Sequence, residues 1–597
     1  MRGWLTHPRE AIGLGALLAL TAALYLVNPA VNGWANAYYS GAAQAGSMDW
    51  TAFLYGSSDP GNTITVDKPP AALWPIALSI RLFGLNAASI VLPQALMGVA
   101  TVAVLYAIVR RGFPSATALI AGALAAVTPV AALMFRYNNP DALLVLLLTS
   151  AIYFTVRAIE RPSAKWMALA GAAVGLGFLT KELQAFLILP ALVVVYLIAA
   201  PVGLGRRVAH LLVALGALLV SAGWWVALVL LVPANARPFV GGSQSNNFLD
   251  VVLGYNGIGR LTGDGYGNHY SSASSAGIDR LLSGYIAGQI GWLLPAAVVM
   301  LAIALMLVGR VTRTDLPRAI ILLFGGSLMV TTLALSFMSG IFHGYYVVAM
   351  VPGVAGLVAI GGTLLWGERR KLRARIALAV IVAGSAAWSF VIIRRYPVLD
   401  GLDWVILGLA VVASIALTLP PRGRAIAVLA VTTALASLMV GQLAYSIQTT
   451  TVAHTGSGPI AGPASGTSKR NANGLSATAA AALSTDASSF RWVVAAAGST
   501  RAAEVQLALG HAVMPLGGYK RSDPAPTLTT FQTLVAAHAI HYLWPSATGG
   551  SSQSALIVGW VKANFPRIKV GGTDVYDLTA APSPSNATPG ITTLTSP

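Results

Sequence analysis

Apolar residues fill most of the chain in runs of about twenty, the length of one helical bilayer crossing. Short polar stretches separate them. This spacing predicts thirteen helices, at roughly 11–30, 88–109, 115–135, 141–157, 166–181, 184–202, 208–232, 284–308, 319–338, 345–366, 376–393, 403–419 and 425–446. Two connections are long, 31–87 and 233–283. Both are rich in Trp, Tyr, Asn and Asp, so they are expected to be ordered and functional. Residues 456–489 are rich in Gly, Ser, Ala and Thr and read as a flexible linker. The pattern changes at Phe490. Strand-like runs at 491–497, 512–516 and 540–544 alternate with helical ones at 502–509, 527–539 and 554–564, which predicts a small α/β domain over 490–578. A Pro/Ser/Thr-rich tail, 579–597, is expected to be disordered. The domain expectation is therefore 1–455 for the membrane part, then linker, α/β domain and tail.

Composition agrees. Of 597 residues 56% are hydrophobic and 9% charged, against about 25% charged in a soluble domain, and the mean hydropathy is +0.72. This excludes an ordinary soluble enzyme. The net charge of +18 would suggest nucleic acid if it formed one patch. Instead, the basic residues sit in clusters between apolar runs, such as Arg110-Arg111, Arg206-Arg207 and Arg369-Arg370-Lys371. That is the distribution of cytoplasmic loops. It predicts a multi-pass plasma-membrane protein with a cytoplasmic N-terminus and an extracytoplasmic C-terminal domain, and no nucleic-acid partner. There is no cysteine, hence no disulfide and no thiolate metal site.

Ionisable groups at membrane depth mark function by default. Outside the C-terminal region most acids fall on the predicted outer side. Asp49, Asp59 and Asp67 lie in the first long connection. Asp141 opens the fourth helix just after Arg136, Lys181 and Glu182 mark the junction of the fifth and sixth, and His343 precedes the tenth. Carboxylates and cations gathered at one wet rim suit a reaction in which a base takes a hydroxyl proton while phosphate departs. Plainer roles exist for each residue. Asp141 could cap its helix, Lys181 and Glu182 could pair with one another, and His343 could be interfacial beside Tyr345 and Tyr346.

At these residues the chain resembles a known family. Val66-Asp67-Lys68-Pro69-Pro70, Arg136-Tyr137-Asn138-Asn139-Pro140-Asp141, Gly175-Leu176-Gly177-Phe178-Leu179-Thr180-Lys181 and Phe342-His343-Gly344-Tyr345-Tyr346 are similar, in order, to motifs of the protein O-mannosyltransferase-like glycosyltransferases, the group that includes the lipid A aminoarabinose transferase. Gly56-Ser57-Ser58-Asp59, Gly254-Tyr255-Asn256-Gly257 and the α/β region look closest to its bacterial mannosyltransferase branch. The resemblance implies an all-α polytopic GT-C fold with about thirteen transmembrane helices and the small extracytoplasmic α/β domain.

It also implies a polyprenyl-phosphate sugar donor and an extracytoplasmic acceptor that is protein, lipid or cell-envelope glycan. The family's first-loop acid is matched here by Asn36, so the candidate bases are Asp67 and Asp141, then Asp49. Lys68, Arg136, Lys181, His343, Tyr345 and Tyr346 are the candidate phosphate and lipid contacts. The sequence holds no metal-ligand motif of fixed spacing, so no cofactor is assigned, and a divalent metal is the alternative. A transporter or flippase is the alternative, and an assembly protein recruiting partners through its α/β domain is a third.

Overall fold

The computed structural model describes residues 8–262, 276–309, 311–420, 423–463, 475–545 and 552–581. Asp264 and the expected disordered tail beyond 581 lie outside them. Among the described residues nine helices are long and apolar enough to cross a membrane. One of these, Ala164–Ala199, holds two of the expected segments end to end. The shorter apolar helices Ser115–Val127, Leu294–Val308 and Leu402–Thr418 supply three more. Every expected segment is therefore helical, and the chain is a multi-pass membrane protein.

The helix boundaries follow from local chemistry. Asn86 and Ser89 form a reciprocal capping box at the start of Ala87–Gly112. Asp315 caps Leu316–Phe337 by accepting from the Arg318 N–H at 2.9 Å. Proline at the first turns of Leu189–Ala199, Leu294–Val308 and Val351–Gly367 is placed where its missing N–H costs nothing.

Packing divides the chain into two compact units. The first comprises Met1–Asn36, Phe83–Leu228 and Val252–Ser468, and the second Ala37–Leu82, Val229–Val251 and Lys469–Pro597. In this grouping both long connections contribute segments to the α/β domain's unit. The physical reason is polar. Trp492 donates its indole N–H to Asp59 at 2.8 Å. Gln506 donates to the Gly41 carbonyl at 2.8 Å, Arg491 to that of Gly61 at 2.6 Å, and the Gly242 N–H to Asp523 at 2.8 Å. Glycine is required at position 61, where a Cβ would come within 2.3 Å of the Trp492 ring.

The first part of the expected linker is also ordered, within the first unit. The Gly456 N–H donates to Ala35, the Tyr137 hydroxyl donates to Gly456, and Ala461 exchanges two hydrogen bonds with the Gln289 side chain.

Among the described residues the α/β domain is built on five strands: β1 (Trp492–Ala497), β2 (Val513–Leu516), β3 (Ile540–Leu543), β4 (Arg567–Val570) and β5 (Thr573–Asp577), in the order β2-β1-β3-β5-β4. β1 is parallel to both neighbours, while β5 runs antiparallel to β3 and β4. Helices Ser499–Leu509, Leu528–Ala536 and Gln553–Asn564 connect the strands.

Candidate functional site

The expected site residues fall into two clusters, one in each unit.

In the first unit, Asp141 is the first residue of helix Asp141–Glu160 and Lys181 the last of helix Ala164–Lys181. Asp141 does not cap its helix. Both its oxygens receive the Lys181 ammonium, at 2.7 and 2.8 Å. The two side chains are almost wholly buried, 0% and 7% exposed. The residue after Lys181 is Glu182. That residue sits at φ +50°, a conformation that costs a side-chain-bearing residue about 1–3 kcal/mol, and its carboxylate accepts from Asn256 at 3.2 Å. The turn at Glu182 ends one helix and starts the next, and it leaves the ammonium on the Asp141 side.

Tyr346 lies under the same ammonium, 4.1 Å from ring centroid to Nζ, and Tyr345 is at 5.3 Å. These distances suit cation–π contact. His343 stacks on Tyr345 with ring centres 5.2 Å apart. Arg260 donates to the Tyr346 hydroxyl and, at 2.8 Å, to Asn256. Two cations, two carboxylates, an amide and two phenols thus form one network at the ends of apolar helices. Arg260 escaped the sequence reading. Its signal was its place four residues after Asn256, one helical turn along the same face.

Arg136 stands apart from this network. It is 1% exposed and donates to the carbonyls of Leu24, Tyr25 and Asn28, at 3.1, 2.9 and 3.1 Å. It thereby satisfies the end of helix Pro8–Leu26, as a cation at a helix C-terminus does. Asn36 is buried in an amide cluster. Its N–H donates to Asn138 and its side chain to Asn139, while Asn138 returns a bond to the Asn36 carbonyl.

In the second unit, Asp67 and Lys68 are buried, 6% and 8% exposed. The Tyr38 hydroxyl accepts from the Asp67 N–H at 2.9 Å and lies 3.4 Å from its Oδ1. Tyr38 in turn packs on Tyr519 of the α/β domain, ring centres 5.0 Å apart. Asp49 caps helix Trp50–Tyr55, accepting from the Ala52 N–H at 2.8 Å, and also accepts from Asn62 at 2.9 Å. Its contacts are those of a structural residue.

Two further acids are buried in this unit. Burial pushes the Asp59 carboxyl up to about 6, against the opposing effect of its bonds from Trp492 and Thr63. Burial, with the Asp67 charge adding to it, pushes Asp523 up to about 6, and the Gly242 N–H opposes the shift. Asp523 is 2% exposed. Among the described residues no three His, Asp or Glu side chains group as a metal site would require.

Residues 67–226 match the family described as dolichyl-phosphate-mannose-protein mannosyltransferase, and residues 479–564 match "Putative mannosyltransferase YkcB-like, C-terminal". The chain is 28% identical over 648 residues to "Putative mannosyltransferase YkcB" of Bacillus subtilis (strain 168), covering 92% of this chain and 90% of that protein. To "Putative mannosyltransferase YycA" of the same organism it is 26% identical over 625 residues, covering 89% and 91%. Among solved structures it resembles ArnT from Cupriavidus metallidurans in the apo state, with TM-score 0.55, 18% identity and coverage of 97% and 99%. The same protein bound to undecaprenyl phosphate gives TM-score 0.53, 18% identity and the same coverage. At that identity the likeness shows a shared fold.

Proposed function

We propose that this chain, similar to mannosyltransferases in sequence and to ArnT in fold, is a membrane glycosyltransferase that takes its sugar from a polyprenyl-phosphate donor and delivers it to an extracytoplasmic acceptor at the outer leaflet. The acceptor hydroxyl loses its proton to a carboxylate, and its oxygen bonds to the anomeric carbon. The bond from that carbon to the donor phosphate breaks, and polyprenyl phosphate leaves with the electron pair.

One observation carries the donor class: the Lys181 ammonium buried against Asp141 at the ends of apolar helices, above the Tyr345 and Tyr346 rings. A fixed cation where a lipid-borne head group must arrive stabilises the charge that develops on a leaving phosphate. The undecaprenyl phosphate bound by the ArnT of like fold supports the same class. Arg260 and His343 extend this cationic surface, and Lys68 is a further phosphate contact. Asp67 is the preferred base, because both oxygens of Asp141 are occupied by Lys181. Asp141 then acts by holding the ammonium.

The test is to incubate the purified protein with a panel of polyprenyl-phosphate sugars and measure released polyprenyl phosphate. Release with one of them, reduced strongly in Lys181→Ala, is the expected result. Transfer from a nucleotide sugar with no release from any lipid donor would overturn the reading.

A further inference from the structure

Within the first unit, six helices enclose a cavity of about 370 Å³ that is separate from the Lys181 network. Its lining includes Ala116 and Leu124, Val358 and Trp366, and Ala430 and Leu438. Each pair is eight residues apart on one helix, or about 12 Å at 1.5 Å per residue. That approaches the depth of one leaflet, half of a hydrocarbon core about 30 Å thick. The walls are almost entirely apolar. Of the two hydroxyls lining it, Thr363 donates to the Ala359 carbonyl at 2.9 Å and lies 2.8 Å from Thr117. Both protons are therefore spent, Thr117 donating to Thr363. Water needs several polar partners to occupy a cavity, so this one suits hydrocarbon.

One end of the cavity is basic. Arg369 lies 5.1 Å from the ring centre of Trp366 and donates to its carbonyl at 3.0 Å. Arg375 donates to the Thr418 carbonyl at 3.0 Å, beside the lining residue Leu417, and its Nε has no acceptor. The acids of this end are already engaged. Glu10 pairs with Arg110, Glu160 with Arg111 and Arg157, and Glu368 with Lys371, while Asp315 caps its own helix. Among the described residues neither Arg369 nor Arg375 has a carboxylate at ion-pair distance. A leaflet-deep apolar slot with arginines beside its lining residues Trp366 and Leu417, and without carboxylate partners, has the chemistry of an anionic bilayer lipid, and basic pockets between membrane helices bind such head groups.

We propose that this cavity is a site for an anionic glycerophospholipid of the adjoining leaflet, one acyl chain in the slot and the phosphate on Arg369 and Arg375. The site is distinct from the sugar-donor reading and stands without it. The test is native mass spectrometry and lipid extraction of the full chain, purified in mild detergent and then reconstituted with equal amounts of phosphatidylglycerol and phosphatidylcholine. The expected result is about one retained phosphatidylglycerol per chain, enriched at least tenfold over phosphatidylcholine. Arg369→Ala with Arg375→Ala should abolish the enrichment, and the double lysine variant should keep much of it.

Gly362→Leu and Ala434→Phe fill the slot from two helices. A Cβ at Gly362 meets nothing within 4 Å, so a side chain can start there without a clash. Each should lower lipid retention at least tenfold in chains that stay monodisperse. Retention of both phospholipids alike, retention of a polyprenyl phosphate there instead, or slot-filling variants that hold lipid as wild type does would each overturn the proposal.

Discussion

Lys181 meets both oxygens of Asp141, a residue forty positions earlier, at 2.7 and 2.8 Å and almost fully buried. Removing one member of such a pair strands a buried charge and costs about 3–5 kcal/mol. Asp141→Asn and Lys181→Met are each expected to lower the thermal midpoint in detergent. The double variant should recover stability without recovering turnover. Full recovery of turnover in the double variant would make the pair purely structural.

Asp67→Asn is expected to reduce turnover by at least about a hundredfold, the scale of lost base assistance. Thermal stability should change little. Tyr38→Phe removes the hydroxyl that accepts from the Asp67 N–H and should cost less, about 1 kcal/mol for one neutral hydrogen bond. Steady-state rates measured beside size-exclusion profiles decide this. A near-normal Asp67→Asn enzyme would move the base to another carboxylate.

Arg136 behaves differently in this account. Its three bonds to the end of the first helix are charge-assisted, each worth about 1.5–3 kcal/mol. Arg136→Ala should therefore destabilise the protein, and the fraction that stays folded should turn over within a few-fold of wild type. Arg136→Lys should rescue poorly, since one ammonium cannot reproduce the planar fork. A stable variant with little activity would return Arg136 to the phosphate contacts.

Asp59 and Asp523 set a pH dependence for the second unit. Each has a folded value of about 6, raised from 3.8, so between those values the folded state binds more protons than the unfolded. Their contribution is fully present below about 4 and is lost as pH rises through 6. Hydrogen exchange of β1 and β3 amides, followed from pH 4.5 to 7, should show protection falling after correction for intrinsic rates. The fall should be shallower in Asp523→Asn. An unchanged slope in that variant would refute the assignment.

The helices were legible because a membrane span announces itself through some twenty apolar residues, and Asp141, Lys181 and His343 stood out as costly exceptions among them. Their partnership was not legible. Forty residues separate the pair, and nothing local favours Asp141 over Glu182 as the partner. The hairpin of β4 and β5 was missed although its signal is present. Arg567–Val570 and Thr573–Asp577 flank Gly571-Gly572, both at positive φ, as a two-residue hairpin turn requires. The grouping of both long connections with the α/β domain was hidden, because it rests on single bonds such as Trp492 to Asp59 between residues more than 400 positions apart.

That last bond has a bearing on chimeras. An α/β domain exchanged at a boundary near residue 474 would arrive with its own counterpart of Trp492, to face a Gly61 and an Asp59 selected for another ring. The transferable module is discontinuous: 37–82, 229–251 and the C-terminal segment must travel together. A graft limited to the C-terminal segment would leave the Asp59 carboxyl buried without its indole donor.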